Sequence, residues 1–162
     1  MIFRFLLTFF MDIFPSSFFA YRRLILRLMG IKVHPTAKIN SGFRIYGTGK
    51  LEIGSNTWIG RNCHFYTIGN CGIKIGSNTE IGPETMVNCQ THKIGTSEHR
   101  AGDCNNHPVE IGNGIWIGTR TTILCNKIGD GTVIGAASLV LQDIPGNCMV
   151  AGVPAKIKKN LD

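Results

Sequence analysis

The sequence predicts an all-β solenoid, a parallel β-helix whose short strands wind into a three-sided prism. The first observation is a period of six, because an aliphatic residue followed by glycine recurs at that spacing in Ile53-Gly54, Ile59-Gly60 and six later pairs. Neither an amphipathic helix nor an alternating strand has this period, whereas short fixed repeats are typical of β-helices. A β-sandwich is the alternative, but sandwich strands recur every 8–12 residues and would not keep a register of six.

Three hexads make one coil of eighteen residues, so each aliphatic residue of a coil is expected on a different face. There it would stack about 4.8 Å from its counterpart in the next coil. Glycine is expected at the corners because tight turns need backbone angles that other residues resist. The predicted sets are Val33, Ile39 and Ile45; Ile53, Ile59 and Phe65; Ile75, Ile81 and Val87; and Ile111, Ile117 and Ile123.

The fifth and sixth positions of the hexads are the second observation. Small side chains at the fifth position suit a site near a corner: Thr57, Cys63, Thr79, Thr85, Thr91, Thr121, Thr132 and Ser138. The sixth position is expected to point outward, and it holds Trp58, His64, Glu80, Met86, His92 and Trp116. Chemistry on this scaffold must therefore come from such outward residues and from loops that interrupt the count.

Composition sets the outer limits. A chain of 162 residues predicts one domain with one core. The net charge of +7 favours an anionic partner, without choosing between nucleotide, nucleic acid and membrane. Nucleic-acid binding is not expected, since no aromatic and basic surface pattern runs along the prism. Six cysteines without a C-x-x-C pair or metal-ligand spacing indicate a reducing, cytoplasmic compartment, with most of the thiols buried.

Residues 1–30 differ from the rest, because seven of the nine phenylalanines lie in the first nineteen positions. This apolar run is shorter than the roughly 20 residues that a spanning helix needs. A second helix is expected from Ser16 to Gly30, with Ser16 or Ser17 as its cap. Its apolar stripe would be Leu24, Ile25 and Leu28.

Residues 1–30 have two open interpretations and one disfavoured one. Apolar surface beside Arg22, Arg23 and Arg27 suits a segment in an anionic membrane interface, peripheral at the inner face. A helical cap over the open end of the prism is the alternative, and both can hold together. A signal peptide is disfavoured, because the basic start is a single Arg4 and no A-x-A-like site follows.

The prism is expected over residues 31–151, followed by a basic tail over 152–162. Four extra residues stand around Ile68 to Cys71, and one is missing across Leu124–Lys127. The large break runs from Asn88 to Pro108, in loop 88–108. A long loop that leaves a rigid solenoid is typically functional.

The order of motifs closely resembles one family. The matching residues are His92; Pro108-Val109-Glu110-Ile111-Gly112; Ile115-Trp116-Ile117-Gly118; Val133 to Ser138; Asp143-Ile144-Pro145; and Ala151 to Lys156. They resemble the hexapeptide-repeat acetyltransferases of the maltose, galactoside and nodulation type, nearest to the colanic-acid branch of polysaccharide-synthesis clusters. The resemblance implies a left-handed β-helix, a homotrimer with active sites between subunits, and acetyl-CoA as donor.

His92 is the expected catalytic base. Transfer of an acetyl group to a hydroxyl needs a base, donors for the oxyanion and a groove that aligns both substrates. An outward histidine at the mouth of the long loop can take the proton, and the family's catalytic histidine falls on His92. No nucleophile is required, so direct transfer is the simpler scheme. His34, His64, His99 and His107 are the other candidates for the base.

A zinc site formed by His64, His92 and His107 is the alternative role for these side chains. It is disfavoured because the close histidine pair of the β-helical carbonic anhydrases is missing, so no metal is expected.

The coenzyme is expected in a groove along one prism edge. By resemblance, Thr119 and the backbone of Ala136 would bind the pantetheine arm, Trp116 would wall the groove, and Lys156 and Lys159 would meet the adenine-end phosphates. A solvated tail is the alternative role for these lysines. Where relatives often have Thr-Lys before the Asp-Ile-Pro turn, this chain has Leu141-Gln142, so one phosphate contact is in doubt.

The acceptor is expected to be a saccharide hydroxyl, in the synthesis of a surface polysaccharide. Asn70 is a candidate acceptor contact, and the polar loop 93–107 suits a sugar-binding lid. The apolar segment 1–30 suggests a lipid-linked saccharide. Two other classes stay open: an antibiotic acetyltransferase of the streptogramin type, and a non-catalytic scaffold.

Overall fold

The computed structural model describes residues 2–161, apart from the side chains of residues 2, 3 and 5. The contributions expected from the phenyl rings of Phe3 and Phe5 therefore lie outside the described residues. Two helices, α1 (Ile2–Phe10) and α2 (Phe19–Leu28), precede a solenoid of short strands. The strands are β1 (Lys32–Val33), β2 (Lys38–Ile39), β3 (Arg44–Tyr46), β4 (Leu51–Ile53), β5 (Trp58–Ile59), β6 (His64–Tyr66), β7 (Ile73–Ile75), β8 (Glu80–Ile81), β9 (Met86–Asn88), β10 (His92–Ile94), β11 (Ala101–Cys104), β12 (Val109–Ile111), β13 (Trp116–Ile117), β14 (Thr122–Ile123), β15 (Lys127–Ile128), β16 (Val133–Ile134), β17 (Leu139–Val140), β18 (Cys148–Gly152) and β19 (Ala155–Asn160).

Successive strands pass to three different sheets, as the period of six predicts. Face A has the order β1-β4-β7-β12-β15, and face C the order β17-β14-β9-β6-β3. Face B has the order β19-β18-β16-β13-β8-β5-β2. The coil-to-coil pairs are parallel, with Ile53 opposite Ile75, Ile59 opposite Ile81, and Phe65 opposite Val87. All of the aliphatic and aromatic residues in the four predicted sets are buried, so the core assignment is confirmed.

The corners are built differently from the expectation. The glycines of the repeat do not have positive φ; that angle falls two positions later, at Asn56 (54°) or Arg120 (58°). Glycine is required instead by close approach of the next coil, because a Cβ at Gly54 would lie 2.5 Å from the carbonyl carbon of Gly76. The stacking distance between coils, rather than the turn angle, therefore explains this glycine.

The fifth-position hydroxyls satisfy corner carbonyls. Thr57 Oγ1 donates to the Gly76 carbonyl at 2.7 Å, and Thr79 Oγ1 donates to the Gly112 carbonyl at 2.9 Å. Both threonines are buried. Thr91 is the exception, since it stands at the base of a protrusion and is only half-buried. The small polar residue therefore replaces water as the partner of a buried carbonyl.

The two N-terminal helices pack on the first coil. Ile25, Leu26 and Met29 are buried in the core, and α2 lies against β1 and β2, while α1 lies against β3. Four arginines donate to backbone carbonyls. Arg4 binds those of Met29 and Gly49; Arg22 those of Phe14, Pro15 and Ser16; Arg23 that of Ala37; and Arg27 that of Val33. The helices therefore share one hydrophobic core with the first coil.

Two details of the predicted second helix are wrong. The N-cap residue is Phe18, which makes no side-chain hydrogen bond to the helix. Ser16 does not cap the helix, because its Oγ is hydrogen-bonded to Ser41 Oγ at 2.7 Å. Leu24 and Leu28 are 55% and 60% exposed, so the predicted apolar stripe is not the buried one. The buried residues of α2 are Arg22, Ile25 and Leu26.

The break from Asn88 to Pro108 contains a hairpin rather than an irregular loop. Strands β10 and β11 pair antiparallel, with His92 opposite Cys104 and Ile94 opposite Ala101. The C-terminal tail is also ordered, since β19 pairs antiparallel with β18 on face B. Among the described residues, no helix combines the length and the apolar content that a bilayer crossing demands.

Most of the cysteines are buried, as expected. Cys63, Cys89, Cys125 and Cys148 are buried, whereas Cys104 is exposed. Burial raises the pKa of the Cys63 and Cys89 thiols to about 11 and that of Cys125 to about 12. These three thiols are therefore protonated at neutral pH and unsuited to act as nucleophiles.

Candidate active site

His92 stands on the hairpin with its side chain exposed. Its Nδ1 lies 3.0 Å from the carbonyl oxygen of Gly102 on the opposite strand. A carbonyl oxygen only accepts, so this hydrogen bond requires the proton on Nδ1, and in the neutral ring the lone pair is then on Nε2. In the neutral ring, Nε2 is therefore the nitrogen of this exposed side chain that can accept a hydrogen bond.

Thr119 and Ala136 lie together at the corner between faces B and C, which we call the B–C corner. The turns of this corner are Ser41-Gly42, Arg61-Asn62, Pro83-Glu84, Thr119-Arg120 and Ala136-Ala137. The Ala137 amide donates to the Thr119 carbonyl at 2.8 Å, and Thr119 Oγ1 donates to the Pro83 carbonyl at 2.8 Å. The backbone amide of Ala136 thus lies on a straight stack of turns parallel to the prism axis.

Trp116, Lys156 and Lys159 lie on face B. Trp116 pairs with Val133, which pairs with Met149, which pairs with Lys159. Three strand spacings of about 4.8 Å place the backbone of Lys159 roughly 14 Å from that of Trp116. Lys156 pairs with Ala151, and Trp116 is 60% exposed. The aromatic ring and the two lysines therefore border the B–C corner on one side.

Asn70 lies apart from the B–C corner. It is exposed in the turn between β6 and β7, which joins face C to face A. There it lines an open pocket on face A together with Pro108, Asn126 and Lys127. Within one chain, Asn70 shares a corner with the base of the His92 hairpin, but not a pocket with the residues expected to bind the coenzyme.

Sequence reasoning missed an open cleft of about 700 Å³ at the N-terminal end of the B–C corner. Residues from the linker between the helices and from the first two coils line it: Asp12, Ile13, Phe14, Pro15, Ser16, Ser41, Gly42, Arg44, Arg61, Asn62 and His64. The signal for part of this set was the hexad register, which places Arg44 directly opposite His64. Asp12 could not be placed by the register, because it lies outside the repeat.

The cleft has an excess of positive charge. Asp12 accepts from Arg44 Nη2 at 2.5 Å and from the Gly42 amide at 2.7 Å. Burial raises the pKa of Asp12, but these hydrogen bonds and the charges of Arg44 and Arg22 outweigh it and lower that pKa below its ordinary value. Within residues 2–161, the Arg61 side chain has no hydrogen bond or ion pair. Within the described residues, one guanidinium of the cleft is therefore unpaired.

The His92 hairpin and the B–C corner belong to different corners of one chain. The hairpin follows β9, at the end of a face C strand, whereas Thr119 lies just before β14, at the start of a face C strand. Thr85 and Cys89 stand at these two corners of one coil, four extended residues or roughly 13 Å apart. Among the described residues, no three His, Cys, Asp or Glu side chains are grouped to hold a metal ion, so His64, His92 and His107 do not form such a group.

No family model matches the chain. Its sequence is 31% identical over 144 residues to an Escherichia coli K12 protein that carries the name colanic acid biosynthesis acetyltransferase WcaF, covering 88% of this chain and 76% of that protein. The chain belongs to the hexapeptide-repeat acetyltransferases. The family assignment makes the chain an acyltransferase and disfavours the non-catalytic scaffold.

Solved structures agree with this family. A maltose O-acetyltransferase from Clostridium difficile 630 is 27% identical and superposes with a TM-score of 0.70, covering 98% of this chain and 84% of its own. A hexapeptide-repeat acetyltransferase from Vibrio cholerae, solved with acetyl coenzyme A, is 24% identical, with a TM-score of 0.78, covering 98% of this chain and 85% of its own. The second likeness concerns the fold alone, and the predicted left-handed parallel β-helix is confirmed.

Proposed function

We propose that the protein transfers an acetyl group from acetyl-CoA to a saccharide hydroxyl during synthesis of a surface polysaccharide, with His92 as general base. The observation that carries the proposal is the B–C corner. It places the expected coenzyme residues Thr119 and Ala136 in one line with the cleft around Arg61. Arg61 and Thr119 are two coils apart, about 10 Å, a span that an extended pantetheine arm can bridge.

The chemistry follows from what these groups present. Nε2 of His92 takes the proton from the acceptor hydroxyl as its oxygen attacks the thioester carbonyl. Collapse of the tetrahedral intermediate breaks the carbon–sulfur bond and leaves the acetyl ester on the acceptor, while the His92 imidazolium returns the proton to the departing CoA sulfur, which leaves as the free thiol. The corner amides, including that of Ala136, would hold the pantetheine arm, and Lys156 and Lys159 would bind the adenine-end phosphates. The acetyl-CoA complex of the Vibrio cholerae protein supports this choice of donor.

A homotrimer would complete the site. Within one chain, His92 is separated from the B–C corner by the width of face C, so the base must meet the corner of a neighbouring copy. Face C is suited to a subunit contact, because apolar and aromatic side chains outnumber the polar Arg44, His64, Asn88 and Thr122 at its outward positions. The apolar and aromatic side chains include Tyr46, Tyr66, Met86, Leu124, Leu139 and Leu141. Face A instead carries charged pairs such as Lys32–Glu52 and Lys74–Glu110.

The cleft favours a saccharide with a negative charge near the reacting hydroxyl. Arg44 is neutralised by Asp12, but Arg61 has no partner within the described chain, and the buried Arg22 lies close behind. This basic character favours an acidic or phosphate-linked sugar over a streptogramin. Asn70 would join the acceptor site only through a neighbouring copy.

Turnover of acetyl-CoA with a panel of sugars and antibiotics tests the proposal, by following release of the free thiol. His92→Ala should lower the turnover number by about 10²- to 10⁴-fold, while calorimetry shows unchanged CoA binding.

His99→Ala is the matched control, since His99 is exposed on the same hairpin. It should retain full turnover. Similar turnover by His92→Ala and the wild-type protein would contradict the role of the base.

A further inference from the structure

We propose that the end of the molecule formed by α1 and α2 docks on the surface of an anionic lipid bilayer. The proposal concerns the location of the protein and does not depend on the catalytic role of His92. Two independent observations carry it, a continuous apolar surface and an uneven distribution of charge along the chain.

The apolar surface runs along both helices and their linker. Its large side chains are between 41% and 60% exposed: Leu6, Phe9, Phe10, Ile13, Phe14, Phe18, Leu24 and Leu28. The linker joins the two helices into one surface, because Phe14 stacks on Phe18 at 5.2 Å and meets Tyr21 edge-on at 4.8 Å. The Tyr21 hydroxyl donates to the Phe10 carbonyl at 2.9 Å. Soluble monomers rarely expose an apolar patch of this extent without a partner.

The net charge of the protein lies at the same end. Residues 1–50 contain eight Lys or Arg and one Asp, a net charge of +7, whereas residues 51–162 contain nine Lys or Arg and nine Asp or Glu. Glu52 of the second coil pairs with Lys32, which lowers the net charge of this end to +6. Residues 31–50 form the first coil, which packs directly on α2. The helix arginines bind backbone carbonyls, and such bonds leave their charge in place. The field of this end therefore attracts an anionic surface.

The geometry favours contact rather than insertion. With nine residues in α1 and ten in α2, each helix is too short to cross a bilayer but long enough to lie in the headgroup region. Leu24 and Leu28 are one helical turn apart on α2, which packs against faces A and B and away from the apolar face C. These two leucines therefore belong to the docking surface and not to the proposed subunit contact.

Vesicle co-sedimentation of the full chain tests the proposal. The protein should bind vesicles of phosphatidylethanolamine and phosphatidylglycerol, and bind vesicles of phosphatidylcholine much more weakly. Molar NaCl should weaken binding, because it shortens the screening length to about 3 Å. Leu24→Gln/Leu28→Gln should reduce binding by about tenfold or more. Glutamine keeps a helix propensity close to that of leucine, and circular dichroism checks the fold.

Ile157→Gln is the matched control. Ile157 is 52% exposed on β19, at the opposite end of face B, and its substitution should leave vesicle binding unchanged. Equal binding by the double variant and the wild type, or no binding of the wild type to anionic vesicles, would overturn the proposal. A changed oligomeric state of the double variant in sedimentation velocity would instead assign this surface to contact between copies. Turnover on a soluble acceptor is measured separately, so loss of the proposed activity cannot be mistaken for loss of docking.

Discussion

At the residue scale, backbone groups determine what each proposed functional side chain can do. The Gly102 carbonyl fixes the proton of His92 on Nδ1 and leaves Nε2 free. The Gly42 amide and Arg44 together hold Asp12 in the lining of the cleft. Arg61 differs from both, because within residues 2–161 nothing neutralises or hydrogen-bonds it. Substitution of His92 is therefore expected to change the turnover number, and substitution of Arg61 the affinity for the acceptor.

Replacement of Arg61 tests the charge preference of the cleft. Arg61→Gln should lower kcat/KM for an anionic acceptor by about ten- to a hundredfold, the value of one hydrogen bond to a charged group. The KM for acetyl-CoA should not change, because Thr119 lies two coils away. Arg120→Gln is the control, since Arg120 lies at the same corner but already donates to Glu84 at 2.6 Å. Equal losses in the two variants, or a raised KM for acetyl-CoA, would refute the assignment.

The Asp12 pair should make stability depend on acid pH. Because the folded-state pKa of Asp12 is lowered, its contribution is present above the unfolded pKa near 3.9 and is lost as the pH falls through the folded value. At pH 7, Asp12→Asn should be less stable by about 1 kcal/mol, a value appropriate to a partly exposed pair. Denaturant unfolding should show the gap closing below about pH 4. Asp103→Asn, on the exposed hairpin, should have the same free energy of unfolding as the wild type. A stability difference between Asp12→Asn and the wild type that does not depend on pH would contradict the ionic role.

At the element scale, the repeat made the strands of the prism predictable, but it did not predict the structure of the segments that interrupt or precede it. Core residues at every sixth position determine which face each strand joins, and the register then follows. The start of α2 was not predictable, because Ser16 is bonded to Ser41, twenty-five residues away. The hairpin was missed because residues 92–104 lack an alternating apolar pattern. His92 was found by motif, whereas the cleft brings together residues whose separation in sequence hides them.

The buried threonines should contribute to stability through their hydroxyls. Thr79 is fully buried; its Oγ1 donates to the Gly112 carbonyl and accepts from the Ile115 amide. Thr79→Val keeps the shape but leaves both groups unpaired, so the free energy of unfolding should fall by about 1–3 kcal/mol. Thr79→Ser should recover most of the loss, measured by urea unfolding. If the serine and valine variants were equally destabilised, packing rather than hydrogen bonding would be the cause.

The hairpin tip should position His92. A Cβ on Gly95 would lie 2.2 Å from the His99 carbonyl oxygen and 3.1 Å from the Cα of Gly102. Gly95→Ala must therefore displace the strand that carries the Gly102 carbonyl. We expect kcat to fall by about ten- to a hundredfold, with unchanged CoA affinity and a shifted pH profile of kcat. Ser97→Ala, on the same tip, should alter none of these; a normal kcat for Gly95→Ala would show that the base needs no such support.

At the scale of the whole molecule, the two ends of the prism differ in character. The N-terminal end carries the apolar helices, the net charge and the cleft, whereas the coenzyme residues lie toward the C-terminal end of the same corner. An acceptor attached to a lipid would therefore enter from the membrane side, and acetyl-CoA from the opposite side. In a cyclic trimer, equivalent surfaces repeat at the same height around the axis, so all three docking surfaces would face one bilayer.

The separation of His92 from the B–C corner predicts that two inactive variants can restore each other. His92→Ala lacks the base, and Ala136→Trp should block the coenzyme groove, since Ala136 is exposed at the corner. If each site combines the hairpin of one copy with the corner of its neighbour, random trimers from an equal mixture should have about one quarter of their sites intact. Each variant alone should be nearly inactive, and co-refolded mixtures should recover about a quarter of wild-type turnover. The double variant His92→Ala/Ala136→Trp, refolded with His92→Ala, should recover nothing, because neither chain supplies a base. If mixed trimers formed, as shown by mass spectrometry of differently tagged chains, and stayed inactive, the base and the groove would have to come from the same chain.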